Sequence, residues 1–79
     1  MSRVAVEYCV SCGFLPRAEE TKRAVLSVAG DRIEGVELKP GDGGVFKVSV
    51  GDEVIYDKRS EGYDVAVIAE RVVQKIERS

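Results

Sequence analysis

The chain has no histidine. This removes imidazole general bases, Ser-His-Asp triads, Cys-His dyads and histidine-ligated metals from what the chain can do by itself. A basic surplus is also missing: 12 Lys and Arg stand against 14 Asp and Glu, for a net charge of -2. Proteins that track nucleic-acid phosphates normally carry an excess of positive charge, so no nucleic-acid partner is expected. No apolar run approaches the ~20 residues that span a bilayer. The N-terminus reaches Glu7 too soon to form a signal-peptide core. The expectation is a soluble cytoplasmic protein with no membrane partner. Hydrophobic residues make up 44% and charged residues 33% of the 79 residues. That composition is too apolar for a disordered chain, and the length suits one small domain.

The two cysteines, Cys9 and Cys12, are separated by only two residues in Tyr8-Cys9-Val10-Ser11-Cys12-Gly13. A bridge between them closes a very short loop and removes little entropy from the unfolded chain. Stabilisation is therefore a poor reason for the pair, and redox chemistry or metal binding are better ones.

Residues Arg3 to Tyr8 alternate with the period of a strand, Val4, Val6 and Tyr8 against Arg3, Ala5 and Glu7. A helical stretch follows from about Ser11 to Val28, with Leu15, Ala18, Val25, Leu26 and Ala29 roughly on one side. Pro16 admits two starts for this helix. As first helical residue it would leave Leu15, which has no capping oxygen, as the cap. The alternative, a start inside the CxxC with Ser11 as cap and Pro16 bending the helix, is preferred here. Gly30-Asp31 ends the helix. A second strand is expected over Arg32 to Leu38, with Ile33, Val36 and Leu38 inward and Gly35 breaking the alternation. Pro40-Gly41-Asp42-Gly43-Gly44 reads as a loop. A third strand covers Val45 to Val50 with Phe46, Val48 and Val50 on one face. Gly51-Asp52 suits a two-residue hairpin turn, and a fourth strand runs from Glu53 to Asp57, with Val54 and Tyr56 on one face. After a charged connection from Lys58 to Tyr63, Asp64 caps a helix over Val65 to about Glu77. Its apolar stripe is Val65, Ile68, Ala69, Val72 and Ile76, widened by Val67 and Val73 in a way that hints at a dimer contact. The order is βαβββα. The first two strands should be parallel with a right-handed crossover, the last two an antiparallel hairpin, in one mixed four-stranded sheet with two helices.

The thiolate, not the thiol, is the reactive form of cysteine, and unpaired N–H groups at a helix start favour it. The strand-CxxC-helix layout puts one thiolate where it can attack a substrate disulfide and the other where it can resolve the mixed disulfide. Half a zinc site is the main competitor. Structural zinc wants four Cys or His ligands, so this chain would have to share a metal between two copies. A purely structural buried pair is the plainest alternative, against which Gly13 and the loop entry speak; another is an interaction module whose partner binding is gated by the oxidation state of the pair. The redox reading is preferred, with protein thiols and disulfides or glutathione as partners, no cofactor, no resident metal, and a monomer or weak homodimer as the assembly. Gly41, Gly43 and Gly44 read as a turn, with close backbone approach to the cysteines as the functional alternative. Tyr8 and Phe46 read as core residues. Tyr63 either covers the site or staples the second helix. Lys58 and Arg59 read as a solvated hairpin end, or as charges that steer an anionic partner.

Taken together, the N-terminal strand closing in Tyr8-Cys9-x-x-Cys12, the Gly43-Gly44-Val45-Phe46 strand start and the Lys58-Arg59-x-x-Gly62-Tyr63 segment resemble the selenoprotein W-like proteins, the Rdx family. The likeness runs nearly end to end. It implies a single thioredoxin-like domain over residues 1–79, with thiol redox chemistry at Cys9 and Cys12. In selenium-containing members the selenocysteine occupies the second motif position, which by resemblance is Cys12. Two departures matter. Gly43-Gly44 stands where thioredoxins place a cis-proline, so their substrate choice is not inherited. Thioredoxins also attack with the first cysteine, which leaves the attacking sulfur open here.

Overall fold

The structure, a computed structural model, describes residues 2–60 and 62–78, with Ser2 described by its backbone only. Glu61, within the charged connection expected from Lys58 to Tyr63, lies outside the described residues. The element order is β1 (Ser2–Cys9), α1 (Leu15–Ala29), one tight helical turn (Gly30–Arg32), β2 (Ile33–Gly41), β3 (Phe46–Val50), β4 (Glu53–Asp57) and α2 (Val65–Arg78). The strands form one sheet in the order β2-β1-β3-β4. β1 and β2 are parallel, while β1 with β3 and β3 with β4 are antiparallel. This is the thioredoxin-like α/β arrangement expected. No helix among the described residues is long and apolar enough to cross a membrane.

Alternation decides which face is buried. Val4 pairs with Val50, Val6 with Val48 and Tyr8 with Phe46, so their side chains share one face. That face meets the helices: α1 lies over β1 and β2, α2 over β3 and β4, and the helices pack on each other. Val4, Val6, Val48, Ala18, Val25, Ile68 and Val72 are fully buried there. The other face keeps Arg3, Glu7 and Glu37 in solvent, as a sheet covered on one side allows.

Four local expectations are corrected. Helix α1 begins at Leu15, not within the CxxC, and Phe14 is its N-cap without any side-chain cap bond. Pro16 falls in the first turn, where a missing N–H leaves nothing unpaired, so it opens the helix rather than bending it. The buried stripe of α1 is Ala18, Thr21, Val25 and Ala29, while Leu15 and Leu26 are exposed. Thr21 tolerates burial because its hydroxyl donates to the Arg17 carbonyl at 2.8 Å. Pro40 and Gly41 belong to β2 rather than to the loop, which an edge strand permits. In β4, Val48 faces Tyr56 but Ser49 faces Val54, so a bulge at Ile55 turns Val54 into solvent and Tyr56 into the core. The expected break in alternation near Gly35 is present: the register skips Glu34 between the Ser2–Ile33 and Arg3–Gly35 pairs, and the Gly35 φ of 148° is one that side chains rarely adopt. Asp64 caps α2 as expected, its Oδ1 accepting from Ala66 N at 3.1 Å and Val67 N at 3.4 Å.

Candidate functional site

The chain leaves β1 at Cys9 and reaches α1 at Leu15 through a tight turn that holds the CxxC. Cys9 is still a sheet residue. Its N–H donates to the Val45 carbonyl at 2.8 Å, and the next N–H, of Val10, donates to Gly41 at 3.3 Å. The turn then closes on itself: Gly13 N donates to Val10 O at 3.1 Å and Phe14 N to Cys9 O at 3.4 Å. Gly13 makes this possible at φ 73°, in the left-handed region that glycine enters without a steric penalty. The Gly43-Gly44 pair, at φ 69° and 78°, turns the chain back from β2 into β3 and so brings Val45 beside Cys9.

The two sulfur atoms lie at disulfide distance, with Cα atoms 5.4 Å apart, inside the usual range for a disulfide. Their surroundings differ sharply. Cys9 is 0% exposed, whereas Cys12 stands in solvent. The Cys9 sulfur lies 3.5 Å from the Ser11 hydroxyl, within hydrogen-bonding distance. Because α1 starts at Leu15, Cys12 precedes the Phe14 N-cap by two residues and sits outside the first helical turn. The helix field falls off within about one turn.

Two cations gather on the aromatic residue that follows the CxxC. Phe14 carries two cations: the Arg17 guanidinium carbon is 5.2 Å and the Lys58 Nζ 5.3 Å from its ring centroid. The same guanidinium is 5.3 Å from the Tyr63 ring centroid. Below them Phe46 is a buried hub, meeting Phe14 at 6.1 Å, Tyr56 at 6.2 Å and Tyr63 at 5.6 Å, each edge to face. The core reading of Phe46 therefore holds, and Tyr8 packs half-buried on the same cluster. Tyr63 acts as the staple: its hydroxyl donates to Glu20 Oε1 at 2.6 Å and lies 3.3 Å from the Thr21 hydroxyl, tying the approach to α2 onto α1. Burial, then the Glu20 carboxylate, push the Tyr63 phenol above its ordinary pKa of 10.0. Arg59 turns away to Asp57, with Nε 4.0 Å from Oδ1. The signal available for Phe14 was an aromatic directly after Cys12-Gly13, but nothing local tied it to Lys58.

The sequence matches the profile of the Rdx family over residues 3–77. The chain belongs to the Rdx family. A crystal structure of a protein from Bordetella parapertussis shares this Rdx fold with a TM-score of 0.88 and 32% identity, covering 94% of this chain and 96% of that one. A selenoprotein W-related protein from Vibrio cholerae superposes with a TM-score of 0.87, covering 95% of this chain and 96% of its own. At 23% identity the latter supports the shared fold alone. A comparison with curated proteins gives no match. For this Rdx protein, family and fold together suggest redox-type function, with its cysteine pair at disulfide distance.

Proposed function

We propose that the chain is a thiol-disulfide redox protein in which Cys12 exchanges with outside partners and Cys9 resolves the product. One observation carries this reading: an exposed sulfur and a fully buried one lie at disulfide distance. Only the exposed sulfur has room for an incoming molecule. The Cys12 thiolate attacks a substrate disulfide R–S–S–R, a Cys12–S–S–R bond forms as the substrate S–S bond breaks, and one R–S⁻ leaves and takes up a proton. The Cys9 thiolate then attacks the Cys12 sulfur, the Cys9–Cys12 bond forms, and the second R–S⁻ leaves. The pair has given two electrons, and two external thiols restore it by the reverse sequence. Protein disulfides and glutathione disulfide are the candidate oxidised partners. The burial of Cys9 favours this reading over a zinc shared between two copies, which needs both thiolates at the surface.

Reduced single-cysteine variants test the assignment with 2-hydroxyethyl disulfide as probe and intact mass as readout. Cys9→Ser should accumulate a mixed disulfide on Cys12, whereas Cys12→Ser should react about tenfold more slowly or less. Equal rates at the two sulfurs, or no exchange at either, overturn the assignment.

A further inference from the structure

We propose that Arg17 and Lys58, both set against the Phe14 ring, make this redox site selective for disulfides that carry carboxylates near the sulfur; the inference rests on the redox reading above. Phe14 follows Cys12 by two residues, and two residues of chain span at most about 7 Å. The Cα atoms of Cys12 and Phe14 are thus no more than about 7 Å apart, and both cations lie against the Phe14 ring. The pair is arranged in a way that invites an anion. Two like charges lie 5.2 and 5.3 Å from one ring centroid, a contact worth only about 0.5–1 kcal/mol at an exposed site. Among the described residues neither Arg17 nor Lys58 is in an ion pair. Two acids close to them in the chain, Glu20 and Asp57, have other partners. Glu20 accepts from the Tyr63 hydroxyl at 2.6 Å. Asp57 accepts from the Arg59 N–H at 3.0 Å. A guanidinium offers a planar fork that matches a carboxylate, and an ammonium against the same ring adds a second point charge.

The chemistry is the exchange already balanced above; charge recognition sets which R–S–S–R is accepted. The test compares second-order rates of exchange of the reduced protein with three disulfides of similar size: 3,3′-dithiodipropionate, 2-hydroxyethyl disulfide and cystamine, which are anionic, neutral and cationic. At low ionic strength the anionic disulfide should react about tenfold faster than the cationic one, and the ratio should shrink toward one in ~0.5 M salt. The Arg17→Gln/Lys58→Gln double variant should lose the preference. Arg32→Gln removes a charge at the other end of α1 and should keep it. A pair of disulfide-linked peptides differing only by Glu or Gln beside the cysteine distinguishes a protein segment from a small free disulfide as the source of the carboxylate. Equal rates for the three disulfides in the wild type, or a preference that survives in the double variant, overturn the proposal while leaving the dithiol reading in place. Absence of exchange even with the neutral disulfide removes both.

Discussion

Gly41 and Val45 stand so close that a β-carbon on Gly41 would lie 2.9 Å from Val45 Cγ1 and 3.1 Å from Glu7 Oε2. Val45 is the residue whose carbonyl holds the Cys9 N–H. Crowding at position 41 therefore reaches the cysteine turn through one side chain and one hydrogen bond. Gly41→Ala should cost about 1–3 kcal/mol, the range for forcing extra volume into packed structure. Gly30→Ala is the matched contrast: its β-carbon meets nothing within 4 Å, and its φ of -56° is helical. That change should stabilise by about 0.4–1 kcal/mol through the unfolded state. Urea midpoints of the two variants check both signs.

Tyr63→Phe should lower stability at neutral pH by about 1 kcal/mol, the ordinary worth of one hydrogen bond. It should also change the alkaline limb. The folded phenol pKa is raised above 10.0, so the folded state holds its proton more tightly than the unfolded chain does. The stabilisation is fully present below pH 10.0 and is lost as pH rises through the folded value. The difference between wild type and Tyr63→Phe, followed by denaturant titration from pH 8 upward, should be flat and then shrink above pH 10.0. A difference that grows with pH would refute the assignment.

Reduction of the Cys9–Cys12 bond should have a modest effect on folding. The loop it closes is only a few residues long, for which chain entropy gives about 2 kcal/mol. In a domain of this size that corresponds to a fall in Tm of roughly 10 °C. Thermal scans with and without dithiothreitol measure it. A fold that collapses on reduction would show that the bond is structural.

Phe46 joins three other rings from three separate segments, Phe14, Tyr56 and Tyr63. Phe46→Ala should cost about 3–5 kcal/mol, a large part of the roughly 4–12 kcal/mol available to a chain of this length. Phe46→Leu should keep much of the burial and remain folded. Near-ultraviolet circular dichroism and denaturant midpoints separate these outcomes.

The strands were legible because one side of the sheet is covered: Val4/Val6 and Phe46/Val48/Val50 alternate as the burial does. The helix cap Asp64 was legible because its side chain makes the bond that the residue type suggests. The start of α1 was not, since Phe14 caps without a side-chain oxygen and Ser11, the better cap by chemistry, is used beside the Cys9 sulfur. Thr21 was missed as a core residue because its polarity is cancelled by a bond inside its own helix. The bulge in β4 leaves no mark in its composition. The spacing of Cys9 and Cys12 announced that the sulfurs could meet, but their unequal exposure depends on Val45 and Gly41, delivered by the turn at Gly43-Gly44. The meeting of Phe14, Arg17 and Lys58 is tertiary, and no local pattern encodes it.

Pro40 has one more effect on this molecule. Val10 donates to Gly41, so the polar groups of Gly41 turn toward β1, and the alternation along a parallel ladder turns the backbone of Pro40 outward. Strand β2 is the rim of the sheet, and at that rim the proline nitrogen has no hydrogen to offer. A strand arriving from another molecule would meet a gap in the ladder there, and a break in register at Glu34 further along. The longest unpaired margin of this small protein is thereby made a poor template for fibril growth.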